Sequence, residues 1–192
     1  MINTLPINMD AFSDGQVGSK LWLCENLEIL FQDKKKFRHV WIYGAWYGML
    51  AFLFLSRSHF HFQKITLFDI DADALRTAER FLNHWLLKGE TQIEFRHHDC
   101  LKWDAEAASP DLLINTSSEH FHNYSWWDPI PSGTYYVVQS TDMNHVEHIN
   151  KPRSVEDLQS SLQLSRPPLF HGTKTFVYPL FQFQRYMLIG IK

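Results

Sequence analysis

The segment at residues 40–50 constrains the fold more than any other part of the chain. A short apolar run ends at Gly44, a second glycine follows at Gly48, and an apolar run of helical character starts at Met49. This order predicts a strand, a tight turn and the N-terminus of a helix. Gly44 can take φ values that other residues avoid, and Gly48 would let the helix pack close to the strand. Backbone N–H groups at such a turn favour a polar or anionic ligand, although a plain strand-to-helix connection has the same pattern.

Apolar runs of strand length and helix length alternate along the rest of the chain. We predict strands at residues 37–43, 64–71, 91–96, 110–116 and 135–140, and helices at 16–31, 49–55, 72–88 and from 154 to about 162. Two late strands, at 176–183 and 184–191, are predicted to form a hairpin. This alternation predicts an α/β protein with a mostly parallel sheet covered on both faces, and the hairpin adds antiparallel strands at one end.

Size and composition favour one globular domain. The chain has 192 residues, of which 45% are hydrophobic, so one core can be buried. We therefore expect a single domain over residues 1–192, with a lead-in and helix at 1–36 and the core at 37–192. A net charge of −3 gives no reason to expect binding to long nucleic acid. No apolar run approaches the roughly 18 residues that span a bilayer, so no membrane partner is expected.

The expected location is the cytoplasm. Only two cysteines are present, which is too few for a disulfide framework and suits a reducing compartment. Residues 1–14 lack the basic start and apolar stretch of a signal peptide. The oligomeric state is not predictable from these features.

The order of the predicted elements resembles the class I S-adenosylmethionine-dependent methyltransferases over residues 40–192. Residues 40–48 lie where this family has its glycine-rich loop, and residues 68–71 lie where an acid closes the second strand. Residues 98–100 resemble the segment near the adenine, and residues 111–116 match the fourth strand, whose end faces the reacting methyl group. The resemblance implies a Rossmann-like three-layer sandwich, S-adenosylmethionine as the cofactor, and methyl transfer to a small-molecule or otherwise exposed acceptor.

The resemblance also implies which residues hold the cofactor. They lie in the loop and at the strand ends: Tyr43, Gly44, Ala45, Trp46, Gly48, Asp69, Ile70, Asp99, Cys100 and Asn115. Asp69 would accept hydrogen bonds from both ribose hydroxyls. The alternative is an acid that faces solvent at a helix start, which fits Asp71 better. Asp99 could equally cap the segment that follows the third strand.

Two positions depart from the family pattern. Ile42 stands where the family usually has an acid, and Trp46 stands where it usually has a glycine. These departures favour one alternative, a non-catalytic module that binds S-adenosylmethionine or another nucleotide. A second alternative, an enzyme of the same fold that uses S-adenosylmethionine differently or uses another nucleotide, also stays open.

Polar residues after the fourth and fifth strands are candidates for the chemistry. Asn115, Glu119 and His120 are predicted to be catalytic, with Glu or His as a base. Positioning alone can also supply much of the rate, and a capped turn is the structural alternative. Predicted substrate contacts come from the first helix and from the end of the fifth strand: Lys20, Trp22, Gln139 and Asp142. A solvated helix face and a simple turn are the alternatives for these two pairs.

Histidines occur in close pairs, which raises the question of a metal ion. His120 and His122 form one pair, and His145 and His148 form another; Glu119, Asp142 or Glu147 could join them as a ligand. Neither pair matches a specific metal-binding spacing. The sequence therefore predicts no metal site, and we expect activity and thermal stability to survive chelation.

Overall fold

The computed structural model describes residues 7–31, 37–57, 60–102 and 109–192. The strands are β1 His39–Tyr43, β2 Lys64–Asp69, β3 Gln92–His97, β4 Leu112–Asn115, β5 Tyr135–Thr141, β6 Phe170–Val177 and β7 Gln182–Ile191. The helices are α1 Asp14–Phe31, α2 Met49–Ser56, α3 Ala72–Phe81, α4 Asn83–Lys88 and α5 Val155–Ser161, with 3₁₀ helices at Met9–Phe12 and Ser118–His120. The predicted boundary at residue 36 lies outside the described residues.

All seven strands form one sheet in the order β3-β2-β1-β4-β5-β7-β6. Strands β1 to β5 are parallel, and β7 runs antiparallel to both β5 and β6. The predicted mostly parallel sheet with an antiparallel C-terminal hairpin is therefore confirmed. The order reverses direction at β1 and β4, and ligands in such sheets bind where this reversal occurs, beyond the carboxyl ends of the strands.

The central strands are buried on both faces because their side chains alternate between two apolar clusters. Val40 and Ile42 of β1 pack into the cluster that contains helix α1 residues such as Leu23. Trp41 and Tyr43 point to the opposite face, where the second cluster contains residues of α5 and the large Trp126 side chain. These layers on both faces make the sheet a three-layer sandwich. No helix in the described ranges is long and apolar enough to cross a membrane.

Gly48 sits at the N-terminus of α2 and allows this helix to approach its neighbours closely. Its φ is +74°, and a Cβ atom there would lie 3.1 Å from Leu82 Cδ1 and 3.2 Å from Ala78 Cβ. A side chain would be both strained and crowded at this position. Gly48 thus lets α2 lie close to α3, whereas the sequence predicts close packing of the helix on the strand; the nearest strand atom, Leu67 Cδ2 of β2, is 3.4 Å from that Cβ position.

Two predicted elements need correction. The single helix expected at 72–88 is two helices, because Leu82 leaves helical geometry, with φ −93° and ψ 5°. The second helix ends at the predicted position, with Gly89 as its C-cap. The hairpin turn lies at residues 178–181 and not at 183–184. The first strand of the hairpin, β6, therefore ends at Val177, and it begins at Phe170, six residues before the predicted start. Pro179 falls in this turn, where a residue without a backbone N–H interrupts no ladder hydrogen bond.

Candidate functional site

The loop between β1 and α2 is bound to the end of β2. Gly44 has φ +60°, and Trp46 takes φ +48°, a left-handed conformation that is uncommon for a residue with a side chain. Ala45 N donates to Phe68 O at 3.0 Å, and Trp46 N donates to Asp69 Oδ2 at 2.7 Å. The loop therefore keeps its shape with tryptophan at the position where a glycine is expected, because the last residues of β2 hold its backbone.

Asp69 lies directly beside this loop. Its second oxygen, Oδ1, accepts from Asp71 N at 2.9 Å. Burial raises the pKa of the half-buried carboxyl, while the backbone N–H groups of Asp71 and Trp46 act in the opposite direction. A carboxylate offers about four lone-pair positions, so both oxygens can still accept from the hydroxyls of a ligand.

Asp71 has the structural role that the sequence favours for it. Its Oδ1 accepts from Asp73 N at 2.8 Å and from Ala74 N at 3.1 Å, which makes it the N-cap of α3. The two neighbouring aspartates therefore differ in position: Asp71 caps a helix, and Asp69 faces the loop.

The segment after β3 completes this side of the site. Asp99 Oδ1 accepts from Leu101 N at 3.0 Å, so Asp99 does cap the following turn, and its contact with an adenine stays a prediction. Cys100 is buried; burial, followed by the charge of Asp69, raises the pKa of this thiol, while the backbone of Gly44 acts in the opposite direction. Ile70, in contrast, is 70% exposed beside Asp69 and presents an apolar surface to solvent.

Two other predicted cofactor residues lie at the start of the loop. Tyr43 and Ala45 are buried, and the Tyr43 ring lies edge-on to Phe68 at 5.3 Å between ring centroids. Gly48 faces α3, as described above. Contact of these three residues with a cofactor stays a prediction.

Asn115 joins the loop to a second group of polar residues. It pairs with Tyr43 in the register of β4 with β1, and its Oδ1 accepts from Ser117 N at 3.0 Å. The Ser117 side chain in turn lies 3.3 Å from the position of a Cβ on Gly44. The turn after β4 therefore abuts the glycine loop.

A buried ion pair dominates the ends of β4 and β7. Arg185 Nη1 donates to Glu119 Oε1 at 2.7 Å, and the two side chains are only 5% and 1% exposed. The sequence analysis gave Arg185 no role in the site. A signal did exist, because this cation interrupts a strand whose following residues are apolar and buried. Charged side chains are almost never fully buried unless they are paired.

Several buried polar atoms near this pair lack a hydrogen-bond partner in the described part of the chain. They are Asn115 Nδ2, Glu119 Oε2, Gln139 Oε1, Ser140 Oγ and Arg185 Nε. Leaving such an atom unsatisfied costs about 1–3 kcal/mol, and each case calls for an explanation. These atoms come from the ends of β4, β5 and β7 and from the turn after β4. The residues that carry these five atoms are together called the acceptor group. A polar ligand bound at this edge would satisfy them.

Helix α1 contacts the acceptor group through the Ser19 carbonyl, one residue before Lys20, and the contact of Lys20 with a substrate stays a prediction. The Lys20 ammonium donates to Gln16 Oε1 at 2.8 Å, and Gln139 Nε2 donates to Ser19 O at 3.0 Å. Burial, and after it the positive charge of Arg185, lower the pKa of Lys20 to about 7, while the Glu119 carboxylate acts in the opposite direction. Lys20 is thus close enough to the ion pair to respond to both of its charges.

The other two predicted substrate residues have structural partners. Trp22 packs edge-on against Phe170 of β6, with ring centroids 6.1 Å apart. Asp142 Oδ1 accepts from Gln184 N at 2.7 Å, which fastens the end of β5 to β7. Their contact with a substrate stays a prediction.

The lowered pKa of Lys20 predicts a pH dependence of stability. A folded-state pKa near 7, below the unfolded value near 10.5, means that the unfolded chain binds more protons between these limits. The contribution of Lys20 to stability therefore rises as the pH increases from 7 to 10. We expect Lys20→Met to be more stable than the wild type at pH 7, and the difference to shrink at pH 9. Urea unfolding at pH 7 and pH 9 measures the difference in the free energy of unfolding between the variant and the wild type. The same difference at both pH values would contradict a lowered pKa of Lys20.

The fold also brings together two histidines and a glutamate from the segments considered for metal binding. Glu119, His120 and His148 each offer a ligand atom, and these atoms all lie within 4.8 Å of one another. His148 is half-buried, and burial lowers the pKa of its imidazole. His122 and His145 are not members of this cluster.

Comparison with known proteins identifies the fold. No protein-family model and no curated protein matches the sequence. Among solved structures, N-methyltransferase NodS from Bradyrhizobium japonicum WM9 is 11% identical, with a TM-score of 0.64 over 94% of this chain and 100% of that one. The YcgJ protein from Bacillus subtilis is 12% identical, with a TM-score of 0.66 over 91% and 98%.

A third similar structure contains a ligand. Magnesium protoporphyrin IX methyltransferase (ChlM) from Synechocystis PCC 6803, with bound S-adenosylmethionine, is 13% identical, with a TM-score of 0.63 over 98% of this chain and 86% of that one. Similarity at these identities establishes a shared fold. With the strand order and the antiparallel β7, it shows that the chain has the fold of the class I S-adenosylmethionine-dependent methyltransferases.

Proposed function

We propose that this protein binds S-adenosylmethionine at the carboxyl edge of its sheet and transfers the methyl group to a small or exposed acceptor. The fold supports the proposal. Two proteins of similar structure also support it, because ChlM was crystallised with bound S-adenosylmethionine and NodS in complex with S-adenosylhomocysteine. The observation that carries the proposal is the position of Asp69. Its carboxylate ends β2 beside the glycine loop and keeps lone pairs for two hydroxyls.

The residues around Asp69 suit the rest of the cofactor. Ile70 offers an exposed apolar side chain against which an adenine ring can pack. The loop of residues 44–48 would lie along the methionine part of the cofactor, as glycine-containing turns between strand and helix do with polar ligands. Trp46 stacks on Tyr47 with ring centroids 4.7 Å apart, which keeps the large indole ordered beside the loop.

The acceptor group provides a polar site next to this position. Asn115 lies between the loop and the Glu119–Arg185 pair, so a molecule bound to the acceptor group would meet the cofactor near Asn115. The unpaired atoms include both donors and acceptors, which favours a polar acceptor molecule. We place Asn115 as the residue that orients it, because orientation alone supplies much of the rate of a transfer between two bound molecules.

The chemistry requires one bond exchange and the loss of a proton. When bound, the cofactor supplies a methyl group activated on a sulfonium. A nitrogen or oxygen lone pair of the acceptor forms the new bond to carbon, and the carbon–sulfur pair stays on S-adenosylhomocysteine. His120 is exposed and can accept the proton lost by the acceptor, whereas Glu119 is held by Arg185 and positions its neighbours.

Product analysis tests this function. The protein is incubated with S-adenosylmethionine labelled on the methyl group and a panel of small amines, alcohols and carboxylic acids. We expect a labelled acceptor with an equal amount of S-adenosylhomocysteine, and inhibition by added S-adenosylhomocysteine. Binding without turnover would instead identify a binding module. Consumption of the cofactor without a labelled acceptor would identify a different reaction, and absence of binding would overturn the proposal.

A further inference from the structure

We propose that Glu119, His120 and His148 form a binding site for one divalent transition-metal ion, with Zn²⁺ as the reference ion. Their ligand atoms lie within 4.8 Å of one another. Two imidazole nitrogens and one carboxylate oxygen form a donor set that suits first-row divalent metals. The sequence spacing did not indicate this site, because its ligands come from two segments that are 28 residues apart and meet only in the fold. The proposal replaces the expectation from the sequence that no metal site is present and that stability survives chelation.

The strongest evidence is the unpaired oxygen of Glu119. This side chain is 1% exposed, and its Oε1 is bound by Arg185, yet its Oε2 is buried without a hydrogen-bond partner in the described ranges. A buried carboxylate oxygen without a partner is costly, and a cation satisfies it. The bond from Arg185 then acts as an outer contact that orients a ligating carboxylate.

The imidazole of His148 is held in the tautomer that a ligand requires. Its Nδ1 lies 2.8 Å from Met143 O, and because a carbonyl can only accept, Nδ1 carries the hydrogen. In the neutral imidazole, Nε2 then keeps its lone pair. A ring nitrogen that donates to a backbone carbonyl while the other binds the ion is the usual arrangement of histidine ligands.

Backbone hydrogen bonds fasten the two ligand segments together. Glu119 O accepts from Ile149 N at 2.8 Å and from Asn150 N at 3.0 Å. The His120 and His148 rings are perpendicular, with centroids 4.9 Å apart. Two of the three ligands are thus fixed, while His120 is exposed and its ring can turn inward. Ligands bound to Zn²⁺ at about 2.0–2.2 Å lie closer together than 4.8 Å, so a small rotation completes the set.

The site has three protein ligands and an open side. Three ligands with one free position are typical of zinc sites that bind a water or a substrate, whereas structural sites are closed by four. The free position would face the acceptor group, which contains Glu119. With an ion bound, His120 acts as a ligand and no longer as the proton acceptor. The site itself does not require S-adenosylmethionine, so it can be tested without the cofactor.

Calorimetric titration of the tag-free, metal-stripped protein with Zn²⁺ tests the proposal. We expect one ion per chain, with a loss of affinity of about 10-fold or more in His148→Ala and in His120→Ala, because outer-shell changes alone cost 10- to 100-fold. The controls are His122→Ala, which removes a histidine next to the first ligand segment, and His84→Ala, which removes an exposed histidine of α4. Both should bind Zn²⁺ as the wild type does.

Thermal unfolding provides a second readout. Zn²⁺ should raise the Tm of the wild type and of the two controls, because an ion that binds only the folded state stabilises it. It should leave the Tm of His148→Ala unchanged. No binding by the wild type would overturn the proposal, and so would equal losses in the ligand variants and the controls. Circular dichroism without metal confirms that each variant is folded.

Discussion

Asp69→Ala is expected to weaken the binding of S-adenosylmethionine by about 30- to 1,000-fold. The change removes the acceptor of two hydroxyl hydrogen bonds. Each hydrogen bond to a charged group contributes about 1.5–3 kcal/mol, and water can replace part of what is lost, so the binding free energy should fall by about 2–4 kcal/mol. It also removes the acceptor of the Trp46 N–H, which holds the glycine loop. Both effects act on affinity in the same direction. Isothermal titration calorimetry with the wild type and the variant measures the difference.

Asp71→Ala is the matched control, because it removes the same group two residues away. Asp71 caps α3, so its loss should lower stability by about 0.5–2 kcal/mol and change affinity little. The two variants should therefore separate binding from stability. Small and equal losses of affinity in both would contradict a ribose at the end of β2.

Arg185→Met is expected to destabilise the protein by about 3–5 kcal/mol, which lowers Tm by about 6–20 °C for a chain of this length. The substitution leaves the Glu119 carboxylate buried with neither oxygen paired. The cost of an uncompensated buried charge exceeds the net value of the pair itself. Urea unfolding in metal-free buffer gives the change in the free energy of unfolding.

A double variant distinguishes loss of the pair from loss of packing. In Glu119→Gln with Arg185→Met both charges are absent, so the double variant should be more stable than the sum of the single losses predicts, by about 0.5–3 kcal/mol. Strictly additive losses would show that the two charges do not depend on each other.

The meeting of the glycine loop with Asp69 could be predicted from the sequence, because both lie at the ends of strands. Parallel strands end at one edge, so a glycine turn after β1 and an acid after β2 must meet there once both strands are recognised. The same logic separated Asp69 from Asp71, since the second acid stands where helix α3 begins.

The acceptor half could not be predicted in the same way, because its contacts join distant segments. The Glu119–Arg185 pair links the turn after β4 to a strand 66 residues later, and only the antiparallel placement of β7 beside β5 brings them together. The predicted boundary of the hairpin was wrong for a local reason. β6 is an edge strand of alternating burial, so its apolar pattern is weak, and Pro179 is the residue that marks the turn.

A crystal structure of the complex with S-adenosylhomocysteine tests the central claim most directly. The account predicts that both ribose hydroxyls donate to the Asp69 carboxylate, that the adenine packs on Ile70, and that the sulfur points toward Asn115 and the acceptor group. A complex in which the ribose lies away from Asp69, or crystals that exclude the cofactor at saturating concentration, would contradict it.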